Sequence, residues 1–178
     1  GANVTGIDLS EQQLRTARRL AAEHDVDLAL IHGSAEQVPL PDNSFDLAIS
    51  EYGAVLWCDP DAWLPEAARL LRPGGRLVFL TAHPLRVVAS PLDGSALVRQ
   101  FVRPYFGVLR QDWTVVEIEP GGIDFNLPIS GWFERLSSLG FTVEALHELQ
   151  APPGDPDEVR SFMPRGWARD YPSELAVV

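Results

Sequence analysis

The stretch GANVTGIDLSEQQL, residues 1–14, decides the fold. Its first half runs to Gly6-Ile7-Asp8, a strand that ends on an acid. Its second half begins a helix, with Ser10 at the N-cap and Gln13 at capping-box spacing. A strand that closes on a carboxylate and turns at once into a helix is the second half of a nucleotide-binding βαβ unit. In such units the acid accepts both ribose hydroxyls of a bound nucleoside, about 20 residues after a glycine-rich loop. An acid at this place also suits the positive end of the helix dipole, so Asp8 taken alone leaves both roles open. The expectation is a chain truncated at its N-terminus, with the first strand and the glycine loop before residue 1.

Outward from this stretch, strands and helices alternate. Ser10 to His24 is amphipathic, with Leu14, Ala17, Leu20 and Ala21 on one face and Arg15, Arg18, Arg19 and Glu23 on the other. Leu28–His32 reads as a strand and Gly33–Asn43 as a loop. Phe45–Ser50 (FDLAIS) is apolar enough for a buried parallel strand. Asp61 caps a helix to Leu71, which the breaker Arg72-Pro73-Gly74-Gly75 stops. Arg76–Ala82 is the next buried strand. Alternation of this kind predicts a mostly parallel sheet with helices on both faces. From His83 to residue 130 proline, arginine and aromatics mix, and the segment reads as an insertion over one end of the sheet. Within it Thr114–Ile118 and Ile123–Leu127 suit a hairpin around Pro120-Gly121-Gly122. Ser130–Leu139 is a helix, Phe141–Leu149 a strand, residues 150–170 a loop, and Ser173–Val178 a last strand.

At 178 residues the chain suits a single domain, 1–178, with a full core. No apolar run reaches the roughly 18 residues that a membrane span needs, and nothing at the start reads as a signal peptide. Cys58 is the one cysteine, which excludes an internal disulfide framework and fits a reducing, cytoplasmic setting. The net charge of −11 argues against nucleic acid and anionic membranes as partners. All 14 basic residues are arginine. Schiff-base chemistry is therefore absent, and the bias suggests a GC-rich bacterial source. His24, His32, His83 and His147 show no ligand spacing, so no metal is expected. Glu117 and Glu119 alternate on the expected hairpin as a solvated face.

The stretch GSAEQVPLPDNSFDLAIS, residues 33–50, narrows the reading. Together with LLRPGGRLVF, residues 70–79, it resembles the class I S-adenosylmethionine-dependent methyltransferases, in the domain 11-like subgroup that acts on small molecules. The likeness covers residues 3–82 and returns weakly in WFERLSSLGFTVE, residues 132–144. It implies a Rossmann-like, doubly wound α/β sheet with an antiparallel last strand, residues 83–130 as a lid over the substrate, and S-adenosyl-L-methionine as cofactor. Carried over by position, Asp8 would hold the ribose and Leu9 would pack on the adenine. Ala35 would offer its backbone N–H to that ring. Ser34 stands where the family usually has Asp, and a serine hydroxyl can still accept. Glu36 would assist, and Ser50 would lie near the methionine end.

Methyl transfer is an in-line displacement on a sulfonium, so alignment supplies much of the rate. A dedicated acid/base pair is not always needed, but for a hydroxyl or amine acceptor a base helps. Candidates lie at the carboxyl ends of strands: Glu51 and Tyr52 after the fourth family strand, and His83 after the fifth. A histidine before Pro84 can equally cap a strand end. Tyr105 and Trp113 could line a substrate pocket or simply pack. The partner is a small molecule whose methylated atom, O, N or C, stays open, as does a homodimer. Two alternatives remain. A nicotinamide-dependent oxidoreductase would also want Asp8 but does not account for residues 33–46 or 70–79. A non-catalytic binding relic of the methyltransferase fold would keep the shape without the reaction.

Overall fold

The computed structural model describes residues 1–107, 110–114, 122–160 and 162–178. The opening stretch folds as its spacing predicts: β1 (Val4–Asp8) passes through Leu9-Ser10 into α1 (Glu11–Glu23). Ser10 Oγ accepts from Gln13 N–H at 3.3 Å. The reciprocal half of the cap differs from the capping box, because Asp8 Oδ1, not Gln13, accepts from Ser10 N–H at 2.7 Å. Of the expected apolar face only Leu14 is buried, and Leu20 is exposed. β2 (Leu28–His32) then pairs with β1 in parallel, setting Asp8 beside His32.

β3 (Phe45–Glu51) and β4 (Leu71–Ala82) form a second parallel pair. Between them lie α2 (Gly53–Trp57) and α3 (Pro60–Leu70). The α3 cap is Asp59, which accepts from Asp61 N–H, and Pro60 occupies the first helical position, so Pro65 falls in the second turn. The Arg72-Pro73-Gly74-Gly75 segment ends the helix yet belongs to β4. It enters the strand through a register shift opposite Phe45 and Leu47, with Gly74 at φ 80°. This irregularity spares the proline a ladder N–H.

The insertion starts with α4 (Pro84–Val88) and ends in a hairpin of β5 (Arg110–Asp112) with β6 (Ile123–Phe125). The first hairpin strand thus precedes the expected Thr114–Ile118; Thr114 is a turn residue, and residues 115–121, with Glu117 and Glu119, lie outside the described residues. α5 (Ile129–Ser138) follows, then β7 (Leu146–Leu149), which is shorter than Phe141–Leu149. The expected loop 150–170 holds β8 (Val159–Arg160), β9 (Met163–Pro164) and α6 (Arg165–Asp170). β10 (Glu174–Val177) closes the chain, antiparallel to both β4 and β7.

The result is an α/β fold whose mixed sheet comes in two parts, β2-β1 and β3-β4-β10-β7. No described strand joins β1 to β3, and a cleft separates them. Leu47 and Ile49 of β3, expected to be buried, are exposed for the same reason: no described element covers that face. The main core packs Phe79, Leu77 and Leu175 of the sheet against Trp63 and Leu64 of α3 and Trp132 and Leu136 of α5. A smaller core joins the insertion to residues 151–168 through Ala89, Leu97 and Trp167. No helix among the described residues is long and apolar enough to cross a membrane.

Candidate functional site

The cleft between β1 and β3 has a volume of about 560 Å³. Asp8, Leu9 and Ser10 line it from the end of β1, Ser50 and Glu51 from the end of β3, and Gly53, Trp57 and Cys58 from α2 and its exit. It lies where open α/β sheets bind ligands, at carboxyl strand ends. Its walls are mostly apolar. A second cavity of about 240 Å³ sits at the opposite end of β4, around Gly75 and Phe141, and contains none of the sequence-derived site residues.

Asp8 and Glu51 bring one carboxylate to each side of the cleft. One oxygen of Asp8 is held by Ser10 N–H, which orients the other. Leu9 is 66% exposed beside it, an apolar surface suited to stacking a planar base. Glu51 is exposed and forms no hydrogen bond or ion pair among the described residues. These residues fit S-adenosylmethionine: a carboxylate for a ribose diol, apolar walls for an adenine and a second carboxylate for a cationic end.

The turn 34–36 has work of another kind. Ser34 Oγ accepts from Glu36 N–H at 3.1 Å, and Glu36 Oε1 accepts from Asp59 N–H at 2.8 Å. Burial and then the Glu36 charge push the Cys58 thiol up to about 11, against the lowering influence of the Ala35 backbone. Ser34 thus closes its own turn, Glu36 braces the start of α3, and Ala35 lines the cleft. The following loop is clamped by Arg69. Its guanidinium donates to the carbonyls of Val38 at 3.0 Å and Leu40 at 2.8 Å and to Asp42 and Glu66 at 2.6 Å each.

The three proposed bases separate clearly. His83 is 3% exposed. Leu85 N–H donates to its Nδ1 at 3.1 Å, so the ring proton lies on Nε2, which donates to Glu148 at 3.0 Å. Both nitrogens are engaged, one as the α4 cap, and burial holds the ring below the ordinary histidine range against the pull of Glu148. The one ring lone pair, on Nδ1, is engaged by Leu85 N–H and is not turned to the cleft as a free base. Tyr52 is likewise committed: it donates to Glu174 Oε1 at 2.6 Å and accepts from Arg86 Nη1 at 2.8 Å. Burial, with Glu174, raises it to about 12 in spite of the Arg86 charge, so it stays a phenol. Of the three, Glu51 alone has no side-chain partner among the described residues.

Tyr52 also has an unusual backbone, φ 52° and ψ −95°, followed by Gly53 at φ 35°. A bulky residue in this region is strained and needs surrounding support. Ser50 supplies part of it: its Oγ accepts from Val55 N–H and donates to the Tyr52 carbonyl, both at 3.1 Å. Ser50 thus holds the turn that carries Glu51 and Gly53 into the cleft. Sequence reasoning missed Trp57, which is 43% exposed at the cleft; an aromatic ending a five-residue helix leaves no periodic signal.

Residues 1–79 match the family described as Methyltransferase domain. A demethylmenaquinone methyltransferase of Listeria monocytogenes serotype 4a is 36% identical over 106 residues, 59% of this chain and 44% of that protein, so the match spans less than half of the relative's length. The uncharacterized protein YafE of Escherichia coli K12 is 28% identical over 156 residues, covering 83% of this chain and 75% of that one. Among solved structures, an S-adenosylmethionine-dependent methyltransferase from Mesorhizobium loti superposes with a TM-score of 0.74 at 24% identity, over 99% of this chain and 79% of that one. Residues 1–79 thus match a methyltransferase domain, and the fold of the chain is the one seen in S-adenosylmethionine-dependent methyltransferases of known structure.

Proposed function

We propose that the protein binds S-adenosylmethionine in the cleft between β1 and β3 and transfers its methyl group to a small molecule. The observation that carries this reading is the convergence of Asp8 and Glu51, from two separate parts of the sheet, on one apolar-walled cleft. The bound cofactor supplies an electrophilic methyl on a sulfonium. Asp8, oriented by Ser10 N–H, accepts the ribose hydroxyls, and Leu9 covers one face of the base. Glu51 is the group placed to neutralise a cationic end or to take a proton from an acceptor. The described residues of the insertion that begins at His83 serve to cover the acceptor and limit water. The acidic chain disfavours nucleic acid and membrane surfaces as substrates, and the protein acts in the cytoplasm.

Nothing observed favours a nicotinamide enzyme, and the domain match argues for methyl transfer. Isothermal titration of the full-length protein with S-adenosylmethionine, S-adenosylhomocysteine and NADH tests the reading. Micromolar binding of the first two, weakened about tenfold or more in Asp8→Ala and absent for NADH, supports it. Absence of both from the wild-type protein contradicts it.

A further inference from the structure

Trp57 ends α2 at the wall of the cleft, 43% exposed, and the proposed transfer leaves it without a task. Because α2 packs on β3, β4 and β6, its ring belongs to the wall that faces β1. Gly122 supports it from behind: a Cβ there would come within 3.0 Å of the six-membered ring. Among the described residues four other rings carry a guanidinium at 5.0–5.7 Å. Tyr52 and Phe162 share Arg86, Tyr171 has Arg99 and Trp113 has Arg103. Trp57 has no such cation, although indole offers the best face for one. Glu51, the last residue of β3, lines the same cleft and has no side-chain partner among the described residues. Asp8 and Glu51 are the charged residues of the lining, and no arginine or histidine joins them. A cavity with two carboxylates, an open indole, apolar walls and no cation of its own selects positive charge. The carboxylates attract it by Coulomb forces, which strengthen where apolar walls displace water, and the ring attracts it through its quadrupole.

We propose that Trp57, assisted by Glu51, is the specificity-determining residue that distinguishes the sulfonium cofactor from its neutral, demethylated product. The inference rests on the methyl-transfer reading given above. S-adenosylmethionine and S-adenosylhomocysteine share the adenosine and the amino-acid end. They differ by a methyl group and the positive charge on sulfur. With the ribose held by Asp8 on the β1 wall, the sulfur end meets the wall that carries Glu51 and Trp57. A sulfonium gains the ring face and the carboxylate there, and a thioether gains neither. Loss of the methyl group leaves the C–S bonding pair on sulfur, and the methyl carbon bonds to the acceptor's lone pair. An O–H or N–H acceptor passes its proton to Glu51 or to water. The charge that held the ligand thus disappears with the transfer, so the wall favours exchange of product for fresh cofactor.

The test is a ratio of dissociation constants, measured by titrating the full-length protein with each of the two ligands. The wild-type protein is expected to bind S-adenosylmethionine about tenfold more tightly than S-adenosylhomocysteine. Trp57→Leu keeps an apolar side chain but no ring, and is expected to cut that preference to about threefold or less. Trp57→Phe keeps a weaker ring face and is expected to fall between the two. Glu51→Gln is expected to lower the preference and to make what is left less sensitive to salt. Melting temperatures check that each variant is folded. A merely structural role for Trp57 would weaken both ligands alike and leave the ratio unchanged. An unchanged ratio in Trp57→Leu and Trp57→Phe, or a wild-type protein that binds the two ligands equally or prefers the thioether, overturns the inference while the cofactor reading stands. Binding of neither ligand by the wild-type protein overturns the cofactor reading and this inference with it.

Discussion

Tyr52 donates its phenolic hydrogen to Glu174 across 2.6 Å, tying the strained turn after β3 to the first residue of β10. Arg86 completes the link from α4, donating to the same hydroxyl. Three segments distant in sequence meet at one oxygen beside the cleft. The bond explains how a residue at φ 52° is held, and it removes Tyr52 from the candidates for a base.

The first prediction concerns that phenol. A group held neutral in the folded state up to about pH 12 stabilises the fold fully below the ordinary tyrosine range near pH 10. That contribution is lost as pH rises from there through about 12. Ultraviolet titration of Tyr52→Phe against wild type should remove one late-titrating tyrosine. The same variant should lose about 1–2 kcal/mol of stability in urea, since Arg86 and Glu174 are left without their partner. A late phenol that persists in the variant would show that Tyr52 is not the shifted group.

His83 gives the opposite sign. Its folded state disfavours the charged ring, so the neutral form stabilises the fold above about pH 6.5. Stability then falls as pH drops through that value toward the lowered folded one. His83→Asn keeps a capping acceptor for Leu85 N–H but cannot titrate. Urea midpoints measured from pH 8 to 5 should slope downward in the wild type, and the variant should lose the His83 part of that slope. Parallel slopes would place the titration elsewhere.

Cys58 should be inert. Its thiol is raised to about 11 by burial and the Glu36 charge, so little thiolate exists at pH 8. A disulfide-exchange reagent at that pH should label it only after denaturation. Once Glu36→Gln removes the nearby charge, labelling of the folded protein should quicken. Rapid labelling of the native wild type would contradict the placement.

How much of this was legible depends on distance along the chain. Asp8, Ser10 and α1 could be read because cap and acid lie within a few residues. β3 and β4 could be read from their apolar runs, although the exposure of Leu47 and Ile49 follows from what does not cover them. α2, α4 and α6 are too short to show a helical period. Pro73-Gly74-Gly75 reads as a breaker, yet a register shift admits it to β4. The site was legible as a region and less so as roles. Glu36 turns to a partner at Asp59, and His83 to Glu148, which no local pattern announces.

Gly122 tests whether the hairpin presses on the cleft. It has φ 130°, and a Cβ there would come within 3.0 Å of the Trp57 ring. Gly122→Ala should cost about 1–3 kcal/mol from backbone strain and shift the Trp57 emission. An unchanged spectrum would mean that β6 and Trp57 do not touch in solution.

The most direct test of the central claim is hydrogen exchange of the full-length protein with and without S-adenosylhomocysteine. Binding in the cleft predicts slowed exchange in segments 6–10 and 49–57, with little change around residues 74–76 and 140–144. Protection confined to the latter segments, or none at saturating ligand, would contradict it.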